Sequence, residues 1–264
     1  MKIIICGAAG KMGQAIITMA KSDDDVEILG TMECDGNKAV GSGDPIILSI
    51  SDLEKFLFEA DVIIDFTNPE SSLENLEMAK KHNTPIVIGT TGFIESQKRK
   101  ITEISRNVPV VFSPNMSIGI NILFKLIEDI TKIIPDYDVE VVELHHNKKK
   151  DSPSGTAEKL AEVVALSRGK NINDVVVYGR HFLNKTRKKD EIGVLSVRAG
   201  DIVGDHTVYF AGLGDRIELT HRAHSRSAFA AGAIRAAKWI SNQKPGLYDM
   251  SDVLSLKQAI DNTK

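Results

Sequence analysis

The feature that most constrains the fold is the opening of the chain. The apolar run Lys2–Cys6 passes directly into Gly7-Ala8-Ala9-Gly10-Lys11-Met12-Gly13 and then into a helical pattern over Lys11–Lys21. A short β-rich run of this kind reads as a buried strand. Glycines let the chain turn sharply and let backbone amides approach an anion, which the start of a helix favours electrostatically. The spacing is GxxGxxG rather than GxGxxG, and glycine-rich turns also close ordinary strand–helix junctions, so the motif alone leaves both readings open. Glu33 ends the second apolar run, twenty residues beyond Gly13. An acid there can accept hydrogen bonds from the ribose hydroxyls of a dinucleotide. The alternative is a surface carboxylate in a loop shared with Asp35.

The alternation continues. Residues 26–32, 62–66, 85–88 and 108–112 read as further strands, and residues 51–58, 70–82 and 94–106 as helices. Strands and helices alternating at these lengths predict a parallel, doubly wound sheet, with the loops that follow the strands along one edge. At that edge lie Asp65-Phe66-Thr67-Asn68-Pro69, Gly89-Thr90-Thr91-Gly92-Phe93 and Ser113-Pro114-Asn115-Met116. Gly89, Thr90 and Thr91 offer small side chains and amides suited to a nicotinamide and its ribose, although such a string is equally an ordinary turn. Ser113, Pro114, Asn115 and Met116 are placed to touch the nicotinamide from the other side, or Asn115 simply begins a helix.

Beyond Asn115 the rhythm changes. A long helix over Ile118–Ile133, bounded by Pro114 and Pro135, precedes a strand at 139–144 and a helix at 156–167. Four β-like runs follow at 175–178, Ile192–Arg198, 207–213 and 216–221, an α+β pattern. The charged stretch 184–191 reads as a solvated loop, and a helix at 228–240 is expected to fold back on the first domain. A chain of 264 residues has room for two such cores. A net charge of -3 argues against nucleic acid or an anionic membrane as the main partner. Two cysteines, Cys6 and Cys34, are too few for a disulfide scaffold, and Cys6 reads as a buried thiol suited to a reducing compartment. Residues 1–5 carry no basic leader, and no stretch approaches the ~20 apolar residues that cross a bilayer, so a cytoplasmic protein is expected.

The densest chemistry spans residues 143–157, Glu-Leu-His-His-Asn-Lys-Lys-Lys-Asp-Ser-Pro-Ser-Gly-Thr-Ala. Strand alternation points the rings of His145 and His146 to opposite sides, unless the strand has already ended and both turn inward. The start of the following helix, at Ser154, Gly155 and Thr156, is a ready carboxylate site beside ammonium charge. The competing reading is a solvated basic loop leading into a capped helix. His145 and His146 lack a carboxylate or thiol partner at ligand spacing, so no metal is expected.

This segment resembles the signature of the dihydrodipicolinate reductases, Glu-x-His-His-x-x-Lys-x-Asp-x-Pro-Ser-Gly-Thr-Ala. The resemblance extends to the glycine-rich opening, the Asp65-Phe66-Thr67 segment, Ile88 to Phe93 and Asn115-Met116-Ser117-Ile118-Gly119. It continues through Arg198 to Gly204, Thr220-His221 and Gly246 to Met250. The family pattern implies an α/β fold: a Rossmann-like doubly wound parallel sheet, residues 1–116 with 227–264, and an inserted α+β domain for substrate and oligomerisation, residues 117–226. It implies a homotetramer acting on a small cyclic dicarboxylate, with hydride from NADH or NADPH delivered to C4 as the 4-hydroxyl leaves as water. His145 matches the acid/base histidine and Lys149 the proton-donating lysine, while His146, Ser154, Gly155 and Thr156 match positions that hold substrate carboxylate. Gly7, Ala8, Ala9, Gly10, Lys11, Met12, Glu33, Gly89, Thr90, Thr91, Ser113, Pro114, Asn115 and Met116 match cofactor contacts. Family members that use NADPH well carry an arginine directly after the acid at position 33. Cys34 stands there, so NADH is the expected preference, with Lys11 and Lys38 as partial compensation. Two rivals share the fold: another two-domain NAD(P)-dependent dehydrogenase, and a non-catalytic dinucleotide-sensing subunit.

Overall fold

The computed structural model describes residues 1–180 and 184–257, which form two compact units, Met1–Ile118 continued by the tail from Arg226, and Gly119–Ser225. The first unit contains β1 (Lys2–Cys6), α1 (Lys11–Lys21), β2 (Glu27–Glu33), β3 (Ile47–Ser49), a tight turn at Ile50–Asp52, α2 (Leu53–Phe56), β4 (Val62–Asp65), α3 (Pro69–His82), β5 (Ile86–Ile88), α4 (Glu95–Ile104) and β6 (Pro109–Phe112). The chain runs through α5 (Ile118–Ile133) into β7 (Asp138–His145), α6 (Gly155–Ser167), α7 (Ile172–Val175), β8 (Val176–Tyr178), β9 (Ile192–Arg198), β10 (Gly204–Ala211) and β11 (Arg216–Ala223). The tail supplies α8 (Ser227–Ile240), β12 (Gly246–Tyr248) and α9 (Met250–Val253).

The first sheet is parallel throughout, in the order β12-β6-β5-β4-β1-β2-β3. Its central strand explains why the opening run is apolar on consecutive residues. Ile3 and Ile5 face the core shared with α1 and α8, and Ile4 and Cys6 face the one shared with α3 and α4. All four are fully buried, each such aliphatic side chain contributing ~1.5–3 kcal/mol. β1 lies between β2 and β4, so the strand order reverses direction at its carboxyl end, the place where open sheets accept ligands. Two edge strands, β3 and β12, are not foreshadowed in the sequence pattern.

The second sheet is mixed, in the order β11-β10-β7-β9-β8. One face is covered by α5 and α6, where Val139, Val141, Ile192, Val194, Val208 and Phe210 pack with Ile120, Leu123, Leu160 and Val164. Strand alternation places Val142, Leu144, Leu195 and Val197 on the other face, and cross-strand pairing puts Val142 beside Leu195 and Leu144 beside Val197.

The stretch 184–191 is the exposed loop expected of it, pinned at two residues. Arg187 donates to Glu140 at 3.0 Å, to Asp138 at 2.7 Å and to the Val139 carbonyl at 3.0 Å, while Glu191 is buried against Arg180. Those charges tie the loop to β7.

Candidate functional site

In the first unit, the glycine-rich turn is shaped by steric need. Gly7 has φ +81°, and a Cβ on it would lie 2.3 Å from the Phe66 carbonyl oxygen. A Cβ on Gly13 would lie 2.2 Å from the Gly7 oxygen and 2.7 Å from the Ala8 Cα. Gly10 caps α1 without a side-chain bond to the helix, and no acidic residue occupies the first turn. The leading amides of α1 therefore point out of the helix with no acceptor in it, beside the exposed Lys11. Glu33, at the end of β2, accepts from the Ala9 amide at 3.0 Å and from the Cys34 amide at 3.1 Å. Its two oxygens retain lone pairs for further donors. Asp35 is held by Ser49 and Ser51, whose hydroxyls keep its carboxyl below the usual range. Cys34 is exposed between these two carboxylates.

The neighbouring strand ends are organised by Asp65, fully buried at the end of β4. Its Oδ1 accepts from the Thr67 amide at 3.1 Å and from the hydroxyls of Thr67, Ser72 and Thr90 at 2.7–2.9 Å, and its Oδ2 from Asn75 at 2.7 Å. Five neutral donors satisfy the buried carboxylate and fix the Gly89-Thr90-Thr91 turn. Gly89 abuts the Phe66 ring, 2.3 Å from where a Cβ would stand, and Thr91 is exposed. At the end of β6, Ser113 donates to the Asn115 carbonyl at 2.9 Å, and Asn115 Oδ1 accepts from the Ser117 amide at 3.0 Å. Pro114 is exposed and Met116 is buried. These features fit a dinucleotide: a turn that only glycine fills, open helix amides for a pyrophosphate, an acid at the ribose position and a fixed small-residue turn beside them.

In the second unit, the inward face of β7 changes character along its length. Val139 and Val141 belong to the core, while Glu143 and His145 continue the same face at the carboxyl end. Pairing brings Ser196 and His206 beside Glu143, and Arg198 beside His145. Glu143 is fully buried. Its Oε2 meets His145 Nδ1 and accepts from Arg198 at 3.0 Å. Its Oε1 accepts from Arg198 at 2.8 Å and from the Ser154 amide at 3.2 Å. Burial alone would raise the Glu143 pKa, but the Arg198, Ser196 and His145 hydrogen bonds win and bring it to about 2. Burial lowers the His145 pKa despite Glu143, so the ring is neutral near pH 7. His206 packs edge-to-face on His145, with ring centroids 5.1 Å apart, and reaches the Ser154 hydroxyl at 3.2 Å. Burial pushes His206 down to about 3.

The loop after β7 places the remaining groups. Lys149 pairs with Asp151 at 2.8 Å, and the Lys149 charge contributes to lowering the His145 pKa. Arg198 also donates to the Asp151 carbonyl at 2.7 Å, so one guanidinium ties the loop to Glu143. His146 is half-buried and lies just beyond β7, which ends at His145. Ser154 opens α6 as its capping residue. Its amide is given to Glu143 and its hydroxyl caps α6 at the Ala157 amide, so it forms the inner wall of the site. Gly155 is exposed and Thr156 half-buried at that helix start. The carboxylate partner that spacing did not offer His145 is present in Glu143, as a hydrogen-bond acceptor. Among the described residues no three potential metal ligands gather.

Glu143, Arg198, His206 and Asp65 are the residues to which sequence reasoning gave no role. Glu143 stands two before His145, the spacing that puts two strand residues on one face, and that was the available signal.

Models of the dihydrodipicolinate reductase N-terminus and C-terminus match residues 1–116 and 119–254. The 4-hydroxy-tetrahydrodipicolinate reductases of Syntrophotalea carbinolica and Citrifermentans bemidjiense are each 49% identical over 266 aligned residues, covering 97% of this chain and 100% of theirs. Dipicolinate-bound dihydrodipicolinate reductase from Paenisporosarcina sp. TG-14 superposes with a TM-score of 0.77 at 26% identity, over 94% of this chain and 97% of that one. A mutant meso-diaminopimelate dehydrogenase from Clostridium tetani, at 16% identity and a TM-score of 0.59, shares the fold alone.

Proposed function

The chain belongs to the dihydrodipicolinate reductase family, and from that premise we propose that it reduces 4-hydroxy-tetrahydrodipicolinate to tetrahydrodipicolinate, using NADH in preference to NADPH, in the diaminopimelate route to lysine. The observation that carries this reading is the β7-to-α6 segment. It joins an imidazole at His145, set on the buried Glu143 carboxylate, to the Lys149 ammonium in the loop that follows and to the helix start at Gly155 and Thr156, whose capping residue Ser154 also meets Glu143.

A bound nicotinamide nucleotide would supply the hydride; Gly7, Ala8, Ala9, Gly10, Lys11 and Met12 would hold its pyrophosphate, Glu33 its ribose, and Gly89, Thr90, Thr91, Ser113, Pro114, Asn115 and Met116 its nicotinamide. Elimination removes a proton from the carbon beside C4 while the 4-hydroxyl takes one up and leaves as water; once hydride has reached C4, that neighbouring carbon regains a proton. Lys149 and His145 are the groups that move protons there, general acid–base work suited to a neutral imidazole and an ammonium. His146, Gly155 and Thr156 hold the ring carboxylates, aided by the positive end of α6. The preference for NADH rests on Glu33 and Asp35, two carboxylates flanking an uncharged Cys34 where a 2′-phosphate would come. A cytoplasmic homotetramer is the assembly we assign. Leu195 and Val197, 37% and 41% exposed on the uncovered face of the second sheet, support self-association there. No described helix is long and apolar enough to cross a membrane.

The test is turnover of enzymatically prepared 4-hydroxy-tetrahydrodipicolinate, followed by nucleotide oxidation with NADH and NADPH in turn. Steady oxidation dependent on that substrate is expected. Oxidation absent with both nucleotides, in protein that binds NADH, would overturn the assignment.

A further inference from the structure

Glu143 is the most connected buried charge in the second unit, and the mechanism above does not use it. It receives donors from its own strand, from β9 and from the start of α6: the imidazole of His145 two residues on, the Ser196 hydroxyl and the Arg198 guanidinium, and the Ser154 amide. Arg198 and Ser154 share its Oε1, and Arg198 and His145 share its Oε2. A carboxylate with a pKa of about 2 is ionised at any working pH, and an ionised carboxylate can only accept. The nitrogen of His145 that faces it must therefore carry the ring proton.

We propose that Glu143 is a positioning residue that locks His145 in the tautomer with the proton on Nδ1 and the lone pair on Nε2, and that through the same carboxylate it holds the α6 start in register with that imidazole. This rests on the reading of His145 as the acid/base group and of α6 as the carboxylate site. The geometry makes the two duties inseparable. The Oε atoms are about 2.2 Å apart in any carboxylate, a spacing fixed by its covalent geometry. Movement of the imidazole partner on one oxygen then displaces the Ser154 amide on the other. Gly204 leaves room for this arrangement, since a Cβ there would stand 2.9 Å from His145 Nε2. The charged and titratable groups around His145 are Glu143 on its own strand, Arg198 from β9, Lys149 from the following loop and His206 from β10, itself beside His221 of β11. Only Glu143 among them stabilises the protonated ring. Its removal leaves Lys149 and Arg198 to oppose protonation.

The experiment is two-bond proton–nitrogen correlation of the histidine rings in the full-length protein, with His145 assigned by its loss in His145→Gln. Titrations are run on the wild type and on Glu143→Gln, which preserves shape and removes the charge. In the wild type, His145 is expected as the Nδ1–H tautomer. In Glu143→Gln, the Nε2–H tautomer is expected to gain population and the ring's titration midpoint to fall. Inhibition by pyridine-2,6-dicarboxylate should weaken about tenfold and kcat fall at least tenfold, with KM for NADH unchanged. A wild-type His145 found as the Nε2–H tautomer overturns the proposal without any variant, so poor folding of Glu143→Gln does not shelter it. So does a folded Glu143→Gln whose His145 tautomer and midpoint match the wild type. A wild type inactive on 4-hydroxy-tetrahydrodipicolinate defeats the functional reading instead, and the ring spectra still report on Glu143.

Discussion

His206 gives the second unit an acid-sensitive point whose size follows from its surroundings. It is 5% exposed on β10, packed on His145, with Lys149, His145 and His221 opposing its protonation and Glu143 alone favouring it. Its pKa stands at about 3 in the folded chain, against an ordinary imidazole value of 6.5. Below 6.5 the unfolded chain binds a proton that the folded chain refuses. Stability is therefore present in full above 6.5 and is lost as pH falls from 6.5 towards 3. Each unit of that window is worth ~1.4 kcal/mol, so at about pH 5 the loss from this ring is ~2 kcal/mol, a large fraction of a typical domain's stability. The perturbation is His206→Gln, which keeps a polar tip for the Ser154 hydroxyl and removes the titration. The single tryptophan, Trp239, lies in α8 of the other unit and does not report on this one. Hydrogen exchange of β7 and β10 peptides, corrected for intrinsic rates, is the suitable assay. Between about pH 7.5 and pH 5, wild-type protection should fall ~2 kcal/mol further than that of His206→Gln. Equal losses in the two proteins would refute the claim that His206 is held neutral by burial.

Replacing His145 or Lys149 by Ala should lower kcat ~100-fold or more while leaving NADH binding intact, read by steady-state kinetics and nucleotide titration. Cys34→Arg should improve KM for NADPH selectively by placing a guanidinium beside Glu33 and Asp35; kcat/KM for both nucleotides at equal, modest ionic strength checks it, since salt screens the effect. Gly204→Ala forces a methyl to within 2.9 Å of His145 Nε2, and should cut kcat with little effect on the Kd for NADH. A variant with normal turnover would show that the ring has space to move.

The parallel sheet was legible in the sequence because β1, β4, β5 and β6 are buried on both faces and so read as continuous apolar runs. The glycines of the first turn were legible for a related reason: backbone atoms occupy the volume any side chain would need. The polar interior was much less visible. Asp65 and Glu143 sit on strands and look like outward residues. What keeps them buried is a set of donors, some local, such as Thr67, Ser72 and Asn75 for Asp65 and His145 for Glu143, and some distant, Thr90 for one and Arg198 for the other. The distant ones come from long-range strand pairing, which no local spacing encodes. The Ser154 amide likewise meets its partner eleven residues back on β7, and Arg187, in the exposed 184–191 loop, finds its acids on a strand some fifty residues earlier.

The strand order has a consequence for how the chain is made. β6 is complete by residue 112, but its parallel neighbour β12 is residues 246–248, and α8, which packs on α1, lies between 227 and 240. A ribosome delivers the whole of residues 119–225 before either arrives. The second unit, contiguous in the chain, can fold as it emerges, while the first waits with β6 unpaired on one side and α1 without its partner helix α8. For that interval the backbone of β6 offers open hydrogen-bonding groups to any strand that passes. The tail is therefore the closing piece of the nucleotide half. A chain truncated before residue 246 should emerge prone to aggregation, even with every proposed cofactor contact already synthesised.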